Sequence, residues 1–320
     1  MKPDHLKVGS LIAERGEKVQ GTLGIPDSDL KIPVTLLNGK GTGKTVVILS
    51  GIHGGEYPGI ETAIRLAAVL RSEELTGRVI LVHPVNTAAF FARQQYIHPG
   101  DGKNLNRVFP GQANGTASDK IAYAITNELF SQADFVMDLH GGDLHEALTP
   151  FVIFSNGGSS EVNQVSDAAA KLMGIRYLIG SNFSGTTFGT AGQMGIPGFL
   201  AELGQCGSWS EEEVGAYMKG ILNVLKYLRL LPGQVEPMID EVDYLAEFHT
   251  VTAQESGCWY PSVQIGDAVK AGTRIGEMRD FFSNPLATYS ADQDGIVLVL
   301  VKSLAIHALD PIFAIGSLKN

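Results

Sequence analysis

The chain has 320 residues, of which 44% are hydrophobic and 18% charged, and its formal net charge is −10. That composition is that of an ordinary globular protein, and its acidity argues against nucleic acid as a partner. No apolar run approaches the about 18 residues of a membrane span. The N-terminal MKPDHLKVGS lacks the apolar segment of a secretory signal, so no membrane partner is expected and the cytoplasm is the expected setting.

Residues 1–45 are polar and turn-rich, with short β-like runs such as KIPVTLL. Val46-Val47-Ile48-Leu49 is wholly apolar, as in a strand buried on both faces. After a glycine-rich turn, residues 60–75 read as a helix with Ile60, Ile64, Ala67 and Ala68 on one face. RVILVHPVN (78–86) is the next strand. Residues 118–133 read as a helix with Ser118 as N-cap. DFVMDLHGG (134–142) is a third buried strand ending in glycines, and FVIFS (151–155) another. A helix over 159–174 and a strand in PGFLAELG (197–204) follow. A helix over 210–231 opens with Ser210 and Glu213 at the spacing of a capping box.

Alternating strands and helices predict an α/β fold around a mostly parallel or mixed sheet. Beyond LPGQ the texture changes to short β-like runs without a long helix, so residues 236–320 read as a separate small β domain and residues 1–235 as the main one. Cys206 and Cys258 lie far apart and read as free thiols in a reducing compartment.

Two chemistries overlap in GKGTGKTVVILSGIHGGEYPG (39–59). A phosphate loop needs a glycine five residues before Gly43 and a helix after it. Asn38 stands there, and Lys44-Thr45 runs into a strand, so no helix N-terminus faces the loop. His53 and Glu56, three apart on a flexible turn, can instead close on one cation. A catalytic zinc uses three protein ligands and an open fourth position, and His140, at the tip of the DFVMDLH strand, is the third candidate. Functional groups in open α/β sheets lie beyond strand carboxyl ends. His53, His140 and Glu202 all sit at or near such ends. His83, His98, His145 and His307 read as structural or exposed, although His145 and Glu146 follow DLHGG closely enough to line a cleft.

Four motifs in order, GIHGGEYPG (51–59), NLNRVFPG (104–111), DLHGG (138–142) and AELG (201–204), resemble the succinylglutamate desuccinylase/aspartoacylase family of carboxypeptidase A-like zinc hydrolases. The resemblance covers roughly residues 40–230. It implies a zinc-carboxypeptidase-like mixed sheet flanked by helices, and a C-terminal β domain similar to a biotinyl/lipoyl-carrier barrel. RDFFSNPLATYS (279–290), the central turn of that part, carries no lysine for a swinging arm, so the likeness is one of architecture.

By motif, the resemblance implies that His53, Glu56 and His140 hold one Zn2+ per chain and that Glu202 is the general base and acid. Asn106 and Arg107 match the pair that grips a substrate carboxylate, for which a bidentate guanidinium is well shaped. The family often has an arginine ahead of the tyrosine preceding this motif. Here that slot is Gln95, and Arg93, two residues earlier, is the substitute considered. Asn104 stands where some relatives carry Asp. The implied activity is hydrolysis of the amide of a small N-acyl amino acid or N-acyl amine bearing a carboxylate, an N-acetylated diamino acid among them. A non-catalytic metal- or ligand-binding relative, a carboxypeptidase and an esterase are the alternatives. A homo-oligomer is compatible with the extra β domain.

Overall fold

The computed structural model describes residues 3–319, so the first two residues of MKPDHLKVGS lie outside the described part. The N-terminal strands β1 (Leu6–Val8), β2 (Leu11–Ala13), β3 (Lys18–Gly24) and β4 (Lys31–Asn38) are joined by tight turns. The VVIL run lies in β5 (Thr45–Ser50), where all six residues are buried. The helix α1 (Tyr57–Val69) and the strand β6 (Arg78–Val82) follow. Next come α2 (Thr87–Ala92), α3 (Ala117–Ala124) and β7 (Phe135–His140), the last again wholly buried. The middle of the chain supplies β8 (Glu146–Leu148), β9 (Phe151–Ser155), α4 (Ser160–Lys171) and β10 (Tyr177–Ser181). It closes with α5 (Thr187–Gln193), β11 (Gly198–Glu202) and α6 (Glu211–Tyr227).

Each six-residue buried strand places apolar side chains on both faces, and full burial of one Val, Leu or Ile contributes about 1.5–3 kcal/mol. One face of the sheet packs under α1, α4 and α6 around Ile48, Leu66, Met137, Phe199 and Ile221. The other packs around Val47, Leu49, Ile80, Val136 and Ile125. Helix α1 is turned differently from the expectation. Ala63, Leu66 and Leu70 join Ile60 and Ala67 inside, while Ile64 is 48% exposed. The α3 helix starts earlier than expected. Thr116, not Ser118, is its N-cap, in a capping box with Asp119. Ser118 is buried and its hydroxyl donates to Asp101 at 2.9 Å.

β6, β5, β7 and β11 run parallel side by side, and β9 joins β11 antiparallel. The sheet is therefore mixed. It continues past the expected domain boundary, because β12 (Asp243–Thr252) pairs parallel with β10. Of the remaining strands, β13 (Gly257–Pro261), β14 (Ala268–Val269), β15 (Arg274–Arg279) and β16 (Pro285–Ser290) are short. The chain ends in β17 (Gly295–Val301), β18 (Ala305–Ile306) and β19 (Pro311–Leu318). β19 pairs with β12, and β17 pairs with both β19 and β8. β13, β15, β16 and β18 form a separate four-stranded sheet. A third core cluster, including Trp259, Ile275, Leu300 and Phe313, lies in this C-terminal region. Among the described residues no helix is long and apolar enough to cross a membrane.

Tyr217 of α6 is fully buried, and its hydroxyl lies 2.6 Å from the carbonyl oxygen of His140 and 2.7 Å from that of Ala201. One O–H thus serves two carbonyls at the carboxyl ends of β7 and β11. Removing a donor from buried carbonyls costs about 1–3 kcal/mol. We predict that Tyr217→Phe lowers unfolding stability by about 1–2 kcal/mol in urea titration. An unchanged midpoint would mean that the two carbonyls find another donor.

Candidate active site and metal centre

The carboxyl ends of β5, β7 and β11 lie side by side, with His140 in register with Glu202. Beyond β5 the chain turns at Gly51, whose φ of 67° is left-handed, and then carries His53 and Glu56 into the interior. The two glycines between them meet a steric requirement, since neither has positive φ. A Cβ on Gly54 would strike the Ala89–Phe90 backbone, and one on Gly55 the Asp143 carboxylate. Glu56 is the N-cap residue of α1, yet its side chain makes no capping bond. It turns to the imidazoles instead.

His53 Nδ1 lies 2.7 Å from Glu56 Oε1, and His140 Nδ1 lies 2.8 Å from Glu56 Oε2. The two rings are 4.9 Å apart at 81°. One ligand atom from each of the three residues fits within 4.8 Å of the others, and all three residues are buried.

The outer ring nitrogens fix the tautomers. His53 Nε2 is 3.0 Å from Asn104 Oδ1, which also accepts the Asn106 N–H at 2.8 Å. That backbone donor identifies the facing Asn104 atom as oxygen, so His53 donates from Nε2. His140 Nε2 donates to Asp138 Oδ2 at 2.9 Å, and the Thr187 hydroxyl donates to the same oxygen. Each neutral imidazole therefore presents an Nδ1 lone pair to the Glu56 carboxylate. Glu56 Oε2 is shut off from solvent, and the His140 Nδ1 that faces it at 2.8 Å can donate to it only when that ring is protonated.

Buried acceptors crowded in this way repel one another unless a cation or extra protons sit among them. Burial opposes charge on both rings. It is outweighed at His53 by the Glu56 carboxylate and at His140 by Asp138 and Glu56, so both imidazoles hold protons above their usual pKa. Burial disfavours the Glu56 carboxylate too, but the facing His140 and His53 bring its pKa down to about 2. Two nitrogens, a carboxylate and anchored outer nitrogens are the donor set of a divalent transition-metal site. The residues present fit such an ion.

Glu202 is half-buried, and its Oε2 is inaccessible and unpartnered. Burial, and after it the Glu56 charge, push its carboxyl well above the ordinary range. It lines a cavity of about 490 Å3 together with the metal-site residues, Asn106 and Arg107. The Asn106 side-chain oxygen accepts the Thr187 N–H at 3.0 Å, and Arg107 Nη1 donates to the Asn106 carbonyl at 2.7 Å. Thr250, Val301 and Phe313 from the C-terminal strands wall the same cavity.

The structure does not bring Arg93 into this set. Arg93 is exposed at the C-cap of α2 in a left-handed conformation, and it does not line the cavity. Gln95 does not line it either. Tyr96 does. Its φ is 55°, its N–H donates to Asp143 Oδ2 at 2.8 Å, and its ring meets His53 edge-on at 5.7 Å. Tyr96 and Thr187 escape a reading from sequence, for neither belongs to a spacing pattern of polar residues. Among the described residues His83, His98, His145 and His307 join no metal-ligating cluster.

The family model for the succinylglutamate desuccinylase/aspartoacylase catalytic domain matches residues 42–228. The N-alpha-acetyl-L-2,4-diaminobutyric acid deacetylase of Halomonas elongata is 33% identical over 276 residues, 83% of this chain and 80% of that one. Among solved structures, the product-bound ectoine utilization protein EutE (DoeB) of Ruegeria pomeroyi superposes with a TM-score of 0.88 at 26% identity. That match covers 99% of this chain and 100% of the other. A succinylglutamate desuccinylase/aspartoacylase from Rhodobacter sphaeroides has a TM-score of 0.83 at 26% identity, covering 94% and 96%. The ordered motifs, their convergence at three strand ends and these matches agree, and the chain belongs to the succinylglutamate desuccinylase/aspartoacylase family.

Proposed function

We propose that this protein is a zinc-dependent amidohydrolase that removes the acyl group from a small N-acyl amino acid, with an Nα-acetylated diamino acid as the favoured substrate. The observation that carries this is the meeting of His53, Glu56 and His140 beside an unpartnered Glu202 in one cavity. The Halomonas elongata relative supports the substrate class, since its name specifies an acetylated diaminobutyrate.

A divalent zinc held by the three side chains would act as a Lewis acid and make water more acidic. Glu202 takes a proton from the attacking water and delivers it to the departing amine nitrogen. A cation held by the three ligands would draw this buried carboxyl back toward the ionised form that the first transfer needs. Arg107 and Asn106 hold the substrate carboxylate, which fixes the scissile amide relative to Glu202. Asn104 and Asp138 keep the imidazoles turned the right way. Arg93, being exposed, has no part in this scheme.

We further propose that residues 1–235 are the catalytic unit, built on a carboxypeptidase-like sheet, and that residues 236–320 form a carrier-barrel-like β unit. The C-terminal strands narrow the cavity, which favours small substrates over long peptides. Cys206 and Cys258 are unpaired, which supports a reducing cytoplasm as the setting.

Metal analysis paired with Glu202→Gln tests the mechanism. We expect one zinc per chain in both proteins and hydrolysis of Nα-acetyl-2,4-diaminobutyrate slowed about 100- to 10,000-fold in the variant. Equal turnover would remove Glu202 from the reaction. For the ion itself, Asn104→Ala is expected to weaken zinc binding about 10- to 100-fold in competition with a chelator. Unaltered affinity would mean that His53 needs no anchor at Nε2.

A further inference from the structure

Glu146 is a buried titratable group in the cavity that the reaction above does not use. It opens β8, where it pairs in register with Val301 of β17. The seam between the main sheet and the C-terminal strands thus sets its position. Its Oε2 accepts the Asp143 N–H at a long 3.3 Å, and Tyr96 is its neighbour in the cavity lining. Among the described residues it makes no ion pair with Lys, Arg or His within 4.0 Å. The wall beside it is apolar, with Leu148, Val299 and Val301. Burial pushes its carboxyl up to about 7.

Among the described residues Arg107 is the one lysine or arginine lining the cavity. The site therefore offers one guanidinium and, apart from the metal ligand Glu56 and the base Glu202, one carboxylate. An ionised carboxylate against an apolar wall is poorly compensated. A ligand ammonium group would compensate it, and a plain hydrocarbon group would not. The β8–β17 pairing and the Asp143 N–H hold that carboxyl in place.

Resting on the deacylase reading, we propose that Glu146, positioned by the β8–β17 pairing, is the specificity residue that receives the free side-chain ammonium of an N-acyl diamino acid while Arg107 holds its carboxylate. Selectivity then comes from leaving Glu146 unpaired when the substrate lacks that amine.

The test uses the full-length zinc-loaded protein and two near-isosteric substrates, Nα-acetyl-2,4-diaminobutyrate and Nα-acetylnorvaline, which has a methyl group in place of the ammonium. The readout is the ratio of the two kcat/KM values. We expect the wild type to favour the diamino substrate, and Glu146→Gln to lower the ratio about 10- to 100-fold, chiefly through KM. Glu146→Asp should keep part of the preference. An unchanged ratio in Glu146→Gln, or equal loss on both substrates, would overturn the assignment.

Calorimetric binding of the deacylated compounds, 2,4-diaminobutyrate and norvaline, to the same proteins needs no turnover. If neither acetylated substrate is hydrolysed, the deacylase reading fails. The binding preference for the diamine, lost in Glu146→Gln, still decides the role of Glu146. It also covers a variant that binds zinc but is too slow to assay.

Discussion

Everything at this site depends on how a carboxylate can be buried between two imidazoles. Glu56 stands at the N-cap position of α1 without capping it, and its carboxylate faces His53 and His140 instead. Such a cluster is tolerable only with positive charge at its centre. The outer contacts to Asn104 and Asp138 hold both rings so that the inner nitrogens converge. Strands β5, β7 and β11 bring these groups to one place because parallel neighbours end together. The buried aliphatic runs that drive the strands inside also deliver the polar tips to a common edge.

Much of this was legible from the sequence because the chemistry is written locally. The VVIL and FVM runs mark buried strands, and His53 and Glu56 lie on one turn. The phosphate-loop alternative fails on chain direction alone, and the structure agrees, with residues 39–44 leading into β5. The glycines between His53 and Glu56 can be read from the sequence as letting the backbone fold tightly. They turn out to serve close packing, against α2 on one side and Asp143 on the other. A sequence cannot distinguish the two reasons, since both remove a Cβ.

What was not legible depends on distant contacts or on unusual backbone. Helix α5, TFGTAGQ, has Gly, Thr or Phe, all of weaker helical preference, at five of its seven positions, and six of the seven residues are buried. It shows no amphipathic stripe, yet it supplies Thr187 to both Asp138 and Asn106. Arg93 and Tyr96 are close in sequence, but each adopts a left-handed backbone without being glycine. The turn they form sends Arg93 to solvent and Tyr96 into the cavity. The Ser118 and Ile64 expectations failed more simply, because tertiary packing moved the helix start and its rotation.

The continuity of the main sheet across residue 236 carries a cost that a chain of loosely tethered modules would not face. If residues 236–320 were deleted, β10 would lose its partner β12 and become an open edge able to recruit strands from other molecules. The cavity would lose its apolar wall at the same time. Solubility and substrate choice are thus inherited together: a lineage can remodel what this pocket accepts by altering β17 and β19, but it cannot discard them and keep a well-behaved protein.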